Sequence, residues 1–393
     1  MYVCHSALQC RRFSIEIELI FLTEKQRAGM TRRFTCFTKY QSGTIFAFAG
    51  IILFLASVYH FWRQSQSSHN VMSMPSFPSL SNPNEQAASG GSVCIPGGLP
   101  ENKKELSKLY DGVDTFLMFI GYPRSSHSLV GSLLDAHPQI IISNEYHIIE
   151  KWHIYRDDAL KNSGMQKYLL FYNLHSLSTW QATFGSRAKD PAFIDDLINS
   201  YNVPGAWQGS YNGKIKVIGD KRGGGTTMEL TEKPEKFKIL KEINETVGIP
   251  FKFLHVIRNP FDVISTWVLR LFNKRLQAND GETKLNKPGA LDGAIKSFFE
   301  LTKTNERILY EYGDAVLNVM SHDLISKPKE TMKRICSFLS VTCDDNYLAQ
   351  TEKILFARPS HTRKTVAWSQ NQKERVHNEM QKYSYLSSFK FEE

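Results

Sequence analysis

The sequence has little of what metal centres, repeat architectures and nucleic-acid readers require. Its six cysteines form no CxxC pair and no other zinc spacing, which argues against a zinc site. No acidic cluster suits Mg²⁺, so we expect no metal. Collagen, solenoid and coiled-coil periods are missing as well. No zinc-finger, RRM or helix-turn-helix signature accompanies the net charge of +9, so we expect no nucleic-acid partner.

A long uncharged run lies near the start of the chain. Gly43–Trp62 spans 20 residues without Asp, Glu, Lys or Arg, and a helix of this length rises roughly 30 Å, the thickness of a bilayer core. Four basic side chains precede the run within residues 27–42, whereas only Arg63 follows closely. The positive-inside rule therefore predicts a type II signal anchor with residues 1–42 in the cytosol. A cleaved signal peptide and a buried soluble helix are disfavoured by the position and length of the run.

The stretch after this run has the composition of a linker. Residues 63–110 contain many Ser, Pro, Asn and Gly, which predicts a flexible lumenal stem before a folded domain at residues 111–393. Cys94 lies in this stem and is the odd lumenal cysteine, so a homodimer through an intermolecular bridge is a candidate. Met30 is a second candidate start of the chain.

Short apolar runs alternate with helical patterns in the predicted domain. The strand-like runs lie at residues 115–120, 139–143, 214–219, 251–257 and 315–320. The helical patterns lie at residues 129–136, 234–246, 262–274, 290–312, 327–339 and 372–383. This alternation predicts an α/β fold, a three-layer sandwich with a central parallel sheet. Residues 152–213 are rich in aromatic side chains and form an insert that we expect at the acceptor site.

The end of the first predicted strand carries the strongest chemical pattern. Gly121 and Pro123 turn the chain, and a helix is predicted to start around residues 125–128. Unpaired N–H groups at a helix N-terminus hold an anion, and an arginine beside them adds a fixed cation. The candidate ligands of that anion are Arg124, Ser125, Ser126, His127 and Ser128. His127 replaces the Lys of the ATPase loop GxxxxGK[ST], which disfavours Mg-ATP hydrolysis.

A second strand-to-helix turn carries Arg258-Asn-Pro. Proline suits the first turn of a helix, and a guanidinium group can bind a phosphate through two parallel hydrogen bonds. We therefore expect a second anion site after the strand at residues 251–257.

The two turns together resemble those of the PAPS-dependent sulfotransferase family. The run Tyr122-Pro-Arg-Ser-Ser-His-Ser-Leu, with Leu-Asp-Ala-His-Pro138 after it, is similar to the loop that binds the 5′-phosphosulfate. The chain departs from the family at Ser126, where glycine is usual. The Arg-Asn-Pro turn is similar to the family's 3′-phosphate motif, in which an Arg and a later hydroxyl clamp the phosphate. Arg258 matches the Arg, and either Ser265 or Thr266 matches the hydroxyl.

The resemblance covers roughly residues 112–385 and has several implications. It implies a fold like that of the P-loop nucleotide kinases, PAPS as co-substrate, and a Golgi membrane enzyme with a lumenal catalytic domain. A basic stretch at residues 358–368 resembles the loop that closes over the donor, and makes Arg363 and Lys364 further ligands of the 3′-phosphate. The acceptor is a glycan or a protein.

The predicted acceptor side lies after the second and third strands. Transfer needs a base for the acceptor proton and cations for the leaving oxygen. In the glycan-modifying members a Glu-x-His follows the second strand, which Glu145 and His147 match as base and helper. Lys221 matches a family Lys that approaches the sulfuryl group. A helix-capping role for Glu145 and an ordinary surface position for Lys221 are the alternatives.

Two covalent features fit a lumenal domain. Asn244-Glu-Thr is the only N-glycosylation sequon. Cys336 and Cys343 close a short loop and are candidates for a disulfide, with Cys336 as a buried free thiol being the alternative.

Three other functions stay open from the sequence. Protein-tyrosine sulfation fits the Leu-Asp-Ala-His-Pro run equally well. A non-catalytic nucleotide-binding membrane protein agrees with the departure at Ser126. A P-loop kinase is disfavoured by the missing Lys.

Overall fold

Five short, apolar strands lie at the centre of the fold. The computed structural model describes residues 102–184, 201–273 and 283–392, and all of them fall within one compact unit of the chain. The strands are β1 (Thr115–Gly121), β2 (Ile140–Asn144), β3 (Val217–Lys221), β4 (Phe251–Ile257) and β5 (Val316–Met320).

The five strands form one parallel sheet in the order β2-β3-β1-β4-β5. The first strand therefore lies in the middle, and Phe116 pairs with Phe251 on one side and with Ile218 on the other. In a parallel sheet all carboxyl ends lie at one edge, where ligands of such folds bind. The segments that follow β1, β2, β3 and β4 therefore meet at this edge.

Thirteen α-helices are present in the described ranges. Those before β4 are α1 (Lys103–Leu109), α2 (His127–Asp135), α3 (Ile148–Lys151), α4 (Asp158–Ser163), α5 (Gln166–Phe184), α6 (Gly224–Glu232) and α7 (Phe237–Val247). Those after β4 are α8 (Pro260–Leu271), α9 (Pro288–Tyr312), α10 (Ser321–Ser326), α11 (Pro328–Phe338), α12 (Asp345–Glu352) and α13 (Gln370–Met380). Short 3₁₀ turns lie at Trp152–Arg156, Pro234–Lys236, Gly313–Ala315 and Thr362–Thr365.

Alternation along β1 explains the layers. Successive side chains of a strand point to opposite faces. Phe116 and Met118 pack into the core shared with α5 and α7, whereas Leu117 and Phe119 pack into the core shared with α2, α11 and α12. Both faces are buried, so the strands read as continuous apolar runs. The predicted three-layer α/β fold with a central parallel sheet is confirmed.

The sequence located all five strands, and it found the long amphipathic helices α7, α8, α9, α11 and α13 together with α2. It did not identify α3, nor the two helices of the insert, α4 and α5. It also missed α6, which begins inside the triple glycine, and the short helices α10 and α12. Helices that begin at Gly or run for only two turns give a weak periodic signal.

The folded part of the chain begins within the predicted stem, and the predicted anchor lies outside the described residues. Residues 103–109 were assigned to the flexible stem, but they form α1, which Asn102 caps by accepting from the N–H groups of Lys104 and Glu105. Leu106 and Leu109 pack against the main core, so the folded part begins earlier than predicted. The predicted anchor at Gly43–Trp62, the cytosolic tail and Cys94 lie outside the described residues. No helix within the described ranges is long and apolar enough to cross a membrane.

A disulfide links Cys336 at the end of α11 to Cys343, with the two Cα atoms 6.0 Å apart. The predicted pairing is therefore present in the structure.

Candidate active site

The loop between β1 and α2 forms the first part of the site. Arg124 and Ser126 adopt left-handed backbone conformations, with φ of 72° and 70°. The turns that result bring the chain back so that α2 begins at His127, directly after the loop. The first N–H groups of α2 have no partner within the helix, and its positive end carries a partial charge. This arrangement suits a phosphate or sulfate group.

Ser126 has a backbone conformation that favours glycine. Its φ of 70° and ψ of 19° lie in the left-handed region, where a residue with a Cβ pays about 1 kcal/mol. The side-chain oxygen lies 3.3 Å from that of Ser321, the first residue of α10. The loop therefore keeps its left-handed turn in spite of the substitution.

Two hydroxyl groups of this loop are placed for ligand binding. Ser125 is fully buried, and its Oγ has no hydrogen-bond partner among the described residues. Buried polar atoms of native proteins are nearly always paired, so an unpaired hydroxyl beside an anion site indicates a missing ligand atom. Ser128 Oγ lies 2.9 Å from Lys221 Nζ, which joins the loop to the end of β3.

The side chain of His127 is not placed as predicted. Its ring is buried, and Nε2 lies 3.1 Å from the carbonyl oxygen of Ile120, where it donates a hydrogen bond. Burial lowers the pKa of His127 to about 3, so the ring is neutral. Gly223 lies against the ring so closely that a Cβ there would collide with it. The His127 ring thus packs the loop against Gly223, directly before α6, and its Nε2 bonds the Ile120 carbonyl instead of an anion.

Buried polar side chains hold the start of the loop. The N–H of Gly121 donates to Thr227 Oγ1 over 2.9 Å, and this hydroxyl donates to Asn305 Oδ1 over 2.7 Å. Thr227 belongs to α6 and Asn305 to α9, so two helices fix the end of β1. The sequence showed no pattern for these two residues, because their partners are distant in the chain.

The Leu-Asp-Ala-His-Pro run connects elements and does not face a ligand. Asp135 is fully buried, and its carboxylate accepts from the N–H of Ile142, the hydroxyl of Ser178 and the N–H of Gly209, over 2.6 to 2.7 Å. His137 Nε2 lies 2.9 Å from a backbone carbonyl before α12. The run ties α2 to β2, to the insert and to the disulfide loop.

Arg258 lies at the second predicted anion site, after β4. Its Nη1 donates to the carbonyl oxygen of Arg124 over 3.2 Å and to Thr266 Oγ1 over 3.3 Å. Its Nη2 donates to Thr362 Oγ1 over 3.0 Å. Burial is the main cause that lowers the pKa of Arg258; the charge of Asp262 raises it and that of Arg363 lowers it further. An arginine side chain keeps its charge in proteins. The two predicted motifs are therefore in direct contact.

The structure separates the two hydroxyl candidates on α8. Thr266 Oγ1 lies beside Arg258, whereas Ser265 Oγ accepts a hydrogen bond from the indole N–H of Trp368 over 3.0 Å. Thr266 therefore fits the phosphate clamp, and Ser265 has a structural contact. Thr362 was missed by the sequence analysis. Its hydroxyl lies 3.0 Å from that of Thr266 and completes a group of one guanidinium and two hydroxyls.

The basic loop at residues 358–368 reaches this pocket, but with other residues than predicted. Arg363 is 2% exposed, and its guanidinium pairs with Asp262 over 2.5 Å and donates to the carbonyl of Phe391 over 2.6 Å. This buried ion pair holds the loop on α8 and engages Nε and Nη1 of the guanidinium within the protein. The Lys364 side chain is exposed. Its binding to the 3′-phosphate therefore stays a prediction.

The predicted base and its partners meet at the ends of β2 and β3. Lys221 is 3% exposed, and its Nζ lies 2.5 Å from Glu145 Oε1. The Glu145 side chain is 43% exposed, so it faces solvent on one side. His147 Nε2 lies 3.8 Å from Glu145 Oε2, and its Nδ1 lies 3.2 Å from Glu150 Oε2. Burial, then the charge of Arg222, lowers the pKa of His147.

Asp220 shapes the turn that carries the predicted base, and the sequence analysis did not assign it a role. Glu145 and His147 both have left-handed backbones, with φ of 62° and 69°. The carboxylate of Asp220 accepts from the N–H groups of Tyr146 and His147, over 2.8 and 3.1 Å, and from the hydroxyl of Ser143. Such strained turns persist only where surrounding contacts determine them.

A metal site is not visible in the part of the chain that the structure describes, where no group of three or more His, Cys, Asp or Glu side chains is suitably placed. The prediction that transfer needs no metal rests on the positive charges of Arg124, Lys221 and Arg258.

Comparison with known families decides the chemistry. A family model described as "Sulfotransferase family" matches residues 117–345, from β1 to the start of α12. This chain belongs to the sulfotransferase family. The matched region of this sulfotransferase contains both anion motifs, Lys221 and the predicted base. The protein is therefore an enzyme that transfers sulfuryl groups. Its neutral His127, in place of the ATPase Lys, agrees with that class.

Solved structures similar to this sulfotransferase come from several organisms. The sulfotransferase domain of the Synechococcus PCC 7002 olefin synthase is 14% identical, with a TM-score of 0.40. The similar region covers 73% of this chain and 97% of that domain. Sulfotransferase STF9 from Mycobacterium avium is 12% identical, with coverages of 74% and 80% and a TM-score of 0.38. Mouse sulfotransferase SULT7A1, complexed with PAP, is 12% identical, with coverages of 71% and 87% and a TM-score of 0.34. No curated protein matches the sequence.

Proposed function

We propose that this sulfotransferase transfers a sulfuryl group from PAPS to a hydroxyl or amine of a glycan. The observation that carries the donor assignment is the contact between Arg258 and the Arg124 carbonyl, 3.2 Å. It places a guanidinium with two hydroxyls directly beside a helix N-terminus. PAPS carries one phosphate on its 3′-hydroxyl and the phosphosulfate on its 5′-hydroxyl, and such a compound needs two adjacent anion sites.

The described residues fit the two ends of this donor. Arg258, Thr266 and Thr362 would hold the 3′-phosphate. The guanidinium offers several N–H groups to one dianion, and the two hydroxyls, which donate to the Asp262 carbonyl over 2.7 and 2.8 Å, would turn to the dianion when the donor binds. The N-terminus of α2, with Ser125 and Ser128, would hold the 5′-phosphosulfate. Arg124 and the exposed Lys364 are additional candidates.

When bound, PAPS would supply an activated sulfuryl group: the acceptor oxygen or nitrogen bonds to sulfur, the bond from sulfur to the bridging phosphate oxygen breaks, and PAP leaves. Glu145 takes the proton that the acceptor loses, and its partly exposed carboxylate faces solvent where an acceptor approaches. Lys221 lies between Glu145 and Ser128 and places a buried positive charge where negative charge develops on the leaving oxygen. His147 Nε2 lies 3.8 Å from Glu145 Oε2, so its role as helper requires the two groups to approach each other when the substrates bind. Lys221, together with Arg124 and Arg258, would supply the charge stabilisation for which other transferases use Mg²⁺, so transfer would need no metal.

Donor binding and transfer can be tested on the full chain. Arg258→Ala and Arg124→Ala should each weaken the binding of PAP, the desulfated donor, by about tenfold or more, because each removes a phosphate contact. Arg375→Ala is the matched control, since this exposed arginine pairs with Asp292. Unchanged PAP binding in both variants would remove the donor assignment.

The acceptor is tested with labelled PAPS and a panel of glycans and acidic tyrosine peptides. We expect label on glycans, since the Glu145-x-His147 turn after β2 resembles that of glycan-modifying members. Label on tyrosine peptides alone would instead identify a protein-tyrosine sulfotransferase. Binding of PAP with no label on any acceptor would identify a non-catalytic nucleotide-binding protein.

We also propose that the catalytic domain works in the Golgi lumen behind the anchor at Gly43–Trp62. The Cys336–Cys343 disulfide supports this proposal, because disulfides persist in oxidising compartments. Asn244 lies near the end of α7 and is partly exposed, so its glycosylation is feasible. A glycosidase should increase the gel mobility of the cellular protein and leave Asn244→Gln unchanged. Protease cleavage of the domain in sealed vesicles would contradict the topology.

A further inference from the structure

We propose that residues 385–392, here named the closing segment, position the 3′-phosphate pocket through Arg363. This inference rests on the proposed PAPS donor. Two backbone carbonyls of the segment accept hydrogen bonds from the site. The carbonyl of Lys390 accepts from Asn259 Nδ2 over 2.9 Å, and the carbonyl of Phe391 accepts from Arg363 Nε over 2.6 Å. Asn259 is the Asn of the Arg-Asn-Pro motif.

The closing segment is held firmly in place. Phe389 is buried, and the ring of Phe391 packs edge-on against Phe261 of α8, with centroids 5.1 Å apart. Trp368 contacts the same ring at 6.0 Å, and Lys373 Nζ lies 3.8 Å from its centroid. The two carbonyls therefore have a fixed position relative to the start of α8.

Arg363 transmits this position to the pocket. Its Nη1 pairs with one oxygen of Asp262, and its backbone N–H donates to the other over 2.9 Å. Thr362, the preceding residue, carries the hydroxyl that lies 3.0 Å from Arg258 Nη2. The Thr362 hydroxyl also donates to the Asp262 carbonyl over 2.8 Å. The 3₁₀ turn Thr362–Thr365 is therefore held on Asp262 at three points, and the closing segment completes one of them, the Arg363 guanidinium.

Loss of the Phe391 carbonyl would leave Arg363 Nε buried without an acceptor. A buried charged group without a partner seeks another one, or its segment moves toward water. Either change displaces Thr362 from Arg258. The pocket for the 3′-phosphate is then incomplete, whereas the loop after β1 keeps its contacts with α6 and β3.

Two nucleotides measure this effect in the full chain. PAP carries the 3′-phosphate, and AMP has the same nucleoside and 5′-phosphate without it. A variant that stops after Phe389 lacks both carbonyls, and we expect its preference for PAP over AMP to fall about tenfold, with AMP affinity unchanged. A variant that stops after Glu392 retains both carbonyls and is the matched control, with the preference of the intact chain.

A second variant keeps the test decisive if the shortened chain does not fold. Arg363→Lys keeps the charge opposite Asp262, but a single ammonium group cannot replace the guanidinium fork that also reaches Phe391. We expect the same loss of PAP preference in a chain that still unfolds in one cooperative transition, with a lower midpoint. An unchanged preference in Arg363→Lys, or in a folded chain that stops after Phe389, overturns the inference. If the intact chain itself shows no preference for PAP, the donor assignment has failed instead.

Discussion

The guanidinium group of Arg258 donates a hydrogen bond over 3.2 Å to the backbone carbonyl of Arg124, although 134 positions separate the two residues in the chain. The contact is possible because β1 and β4 are neighbours in the parallel sheet and both end at the same edge. It joins the loop before α2 to the start of α8. The two anion motifs that the sequence shows separately are therefore two walls of one site.

Thr266 and Ser265 provide a matched pair on the same helix. Thr266→Val removes the hydroxyl beside Arg258 and should weaken PAP binding about tenfold, since a hydrogen bond to a charged group contributes about 1.5–3 kcal/mol. Ser265→Ala removes the acceptor of the Trp368 indole and should lower stability without changing PAP affinity. Calorimetric titration and thermal unfolding measure the two effects. Equal loss of PAP affinity in both variants would contradict the assignment.

Glu145→Gln tests the proposed base. The amide cannot accept the acceptor proton, so kcat should fall by about two to four orders of magnitude, while PAP binding stays near that of the unmodified chain. Glu374→Gln, at an exposed carboxylate on α13, is the control. Transfer of labelled sulfate at saturating donor is the measurement. An unchanged kcat in Glu145→Gln would show that Glu145 is not the base.

Asp220→Asn tests the turn that carries Glu145 and His147. An amide has one oxygen, so it cannot accept from Ser143 and from both backbone N–H groups as the carboxylate does. We expect faster hydrogen exchange at the amides of Tyr146 and His147 and a kcat at least about tenfold lower, with unchanged PAP affinity. Unchanged exchange and kcat would show that Asp220 does not fix the turn.

Three buried histidines predict loss of stability in mild acid. Burial lowers the pKa of His127 to about 3, and that of His175 and His255 to about 4, from 6.5. The folded chain keeps these rings neutral while the unfolded chain binds protons below about pH 6.5. Their stabilising effect is therefore complete above that pH. Below about pH 6.5, each ring lowers the free energy of unfolding by about 1.4 kcal/mol for every pH unit down to about pH 4.

Denaturant unfolding between pH 7 and 5.5 measures the slope of the free energy of unfolding against pH. In this range the carboxylates of the chain do not yet take up protons. His175→Gln removes one of the three rings and should make the slope shallower. His153→Gln, at an exposed ring, should leave it unchanged. Parallel curves for His175→Gln and the unmodified chain would show that burial of this ring does not control the acid response.

Local residue patterns were enough to predict the parallel sheet and the positions of both anion motifs. Strands buried on both faces have continuous apolar runs, and Gly121 and the Arg258-Asn-Pro turn are local signals at strand ends. Glu145 and Lys221 could be placed at the same edge for that reason. The groups that complete the site became visible only in the folded chain. Thr362, Asp220 and the Phe391 carbonyl reach it from distant segments, and His127 and Arg363 turn into buried contacts, because side-chain direction depends on packing partners that no local pattern records.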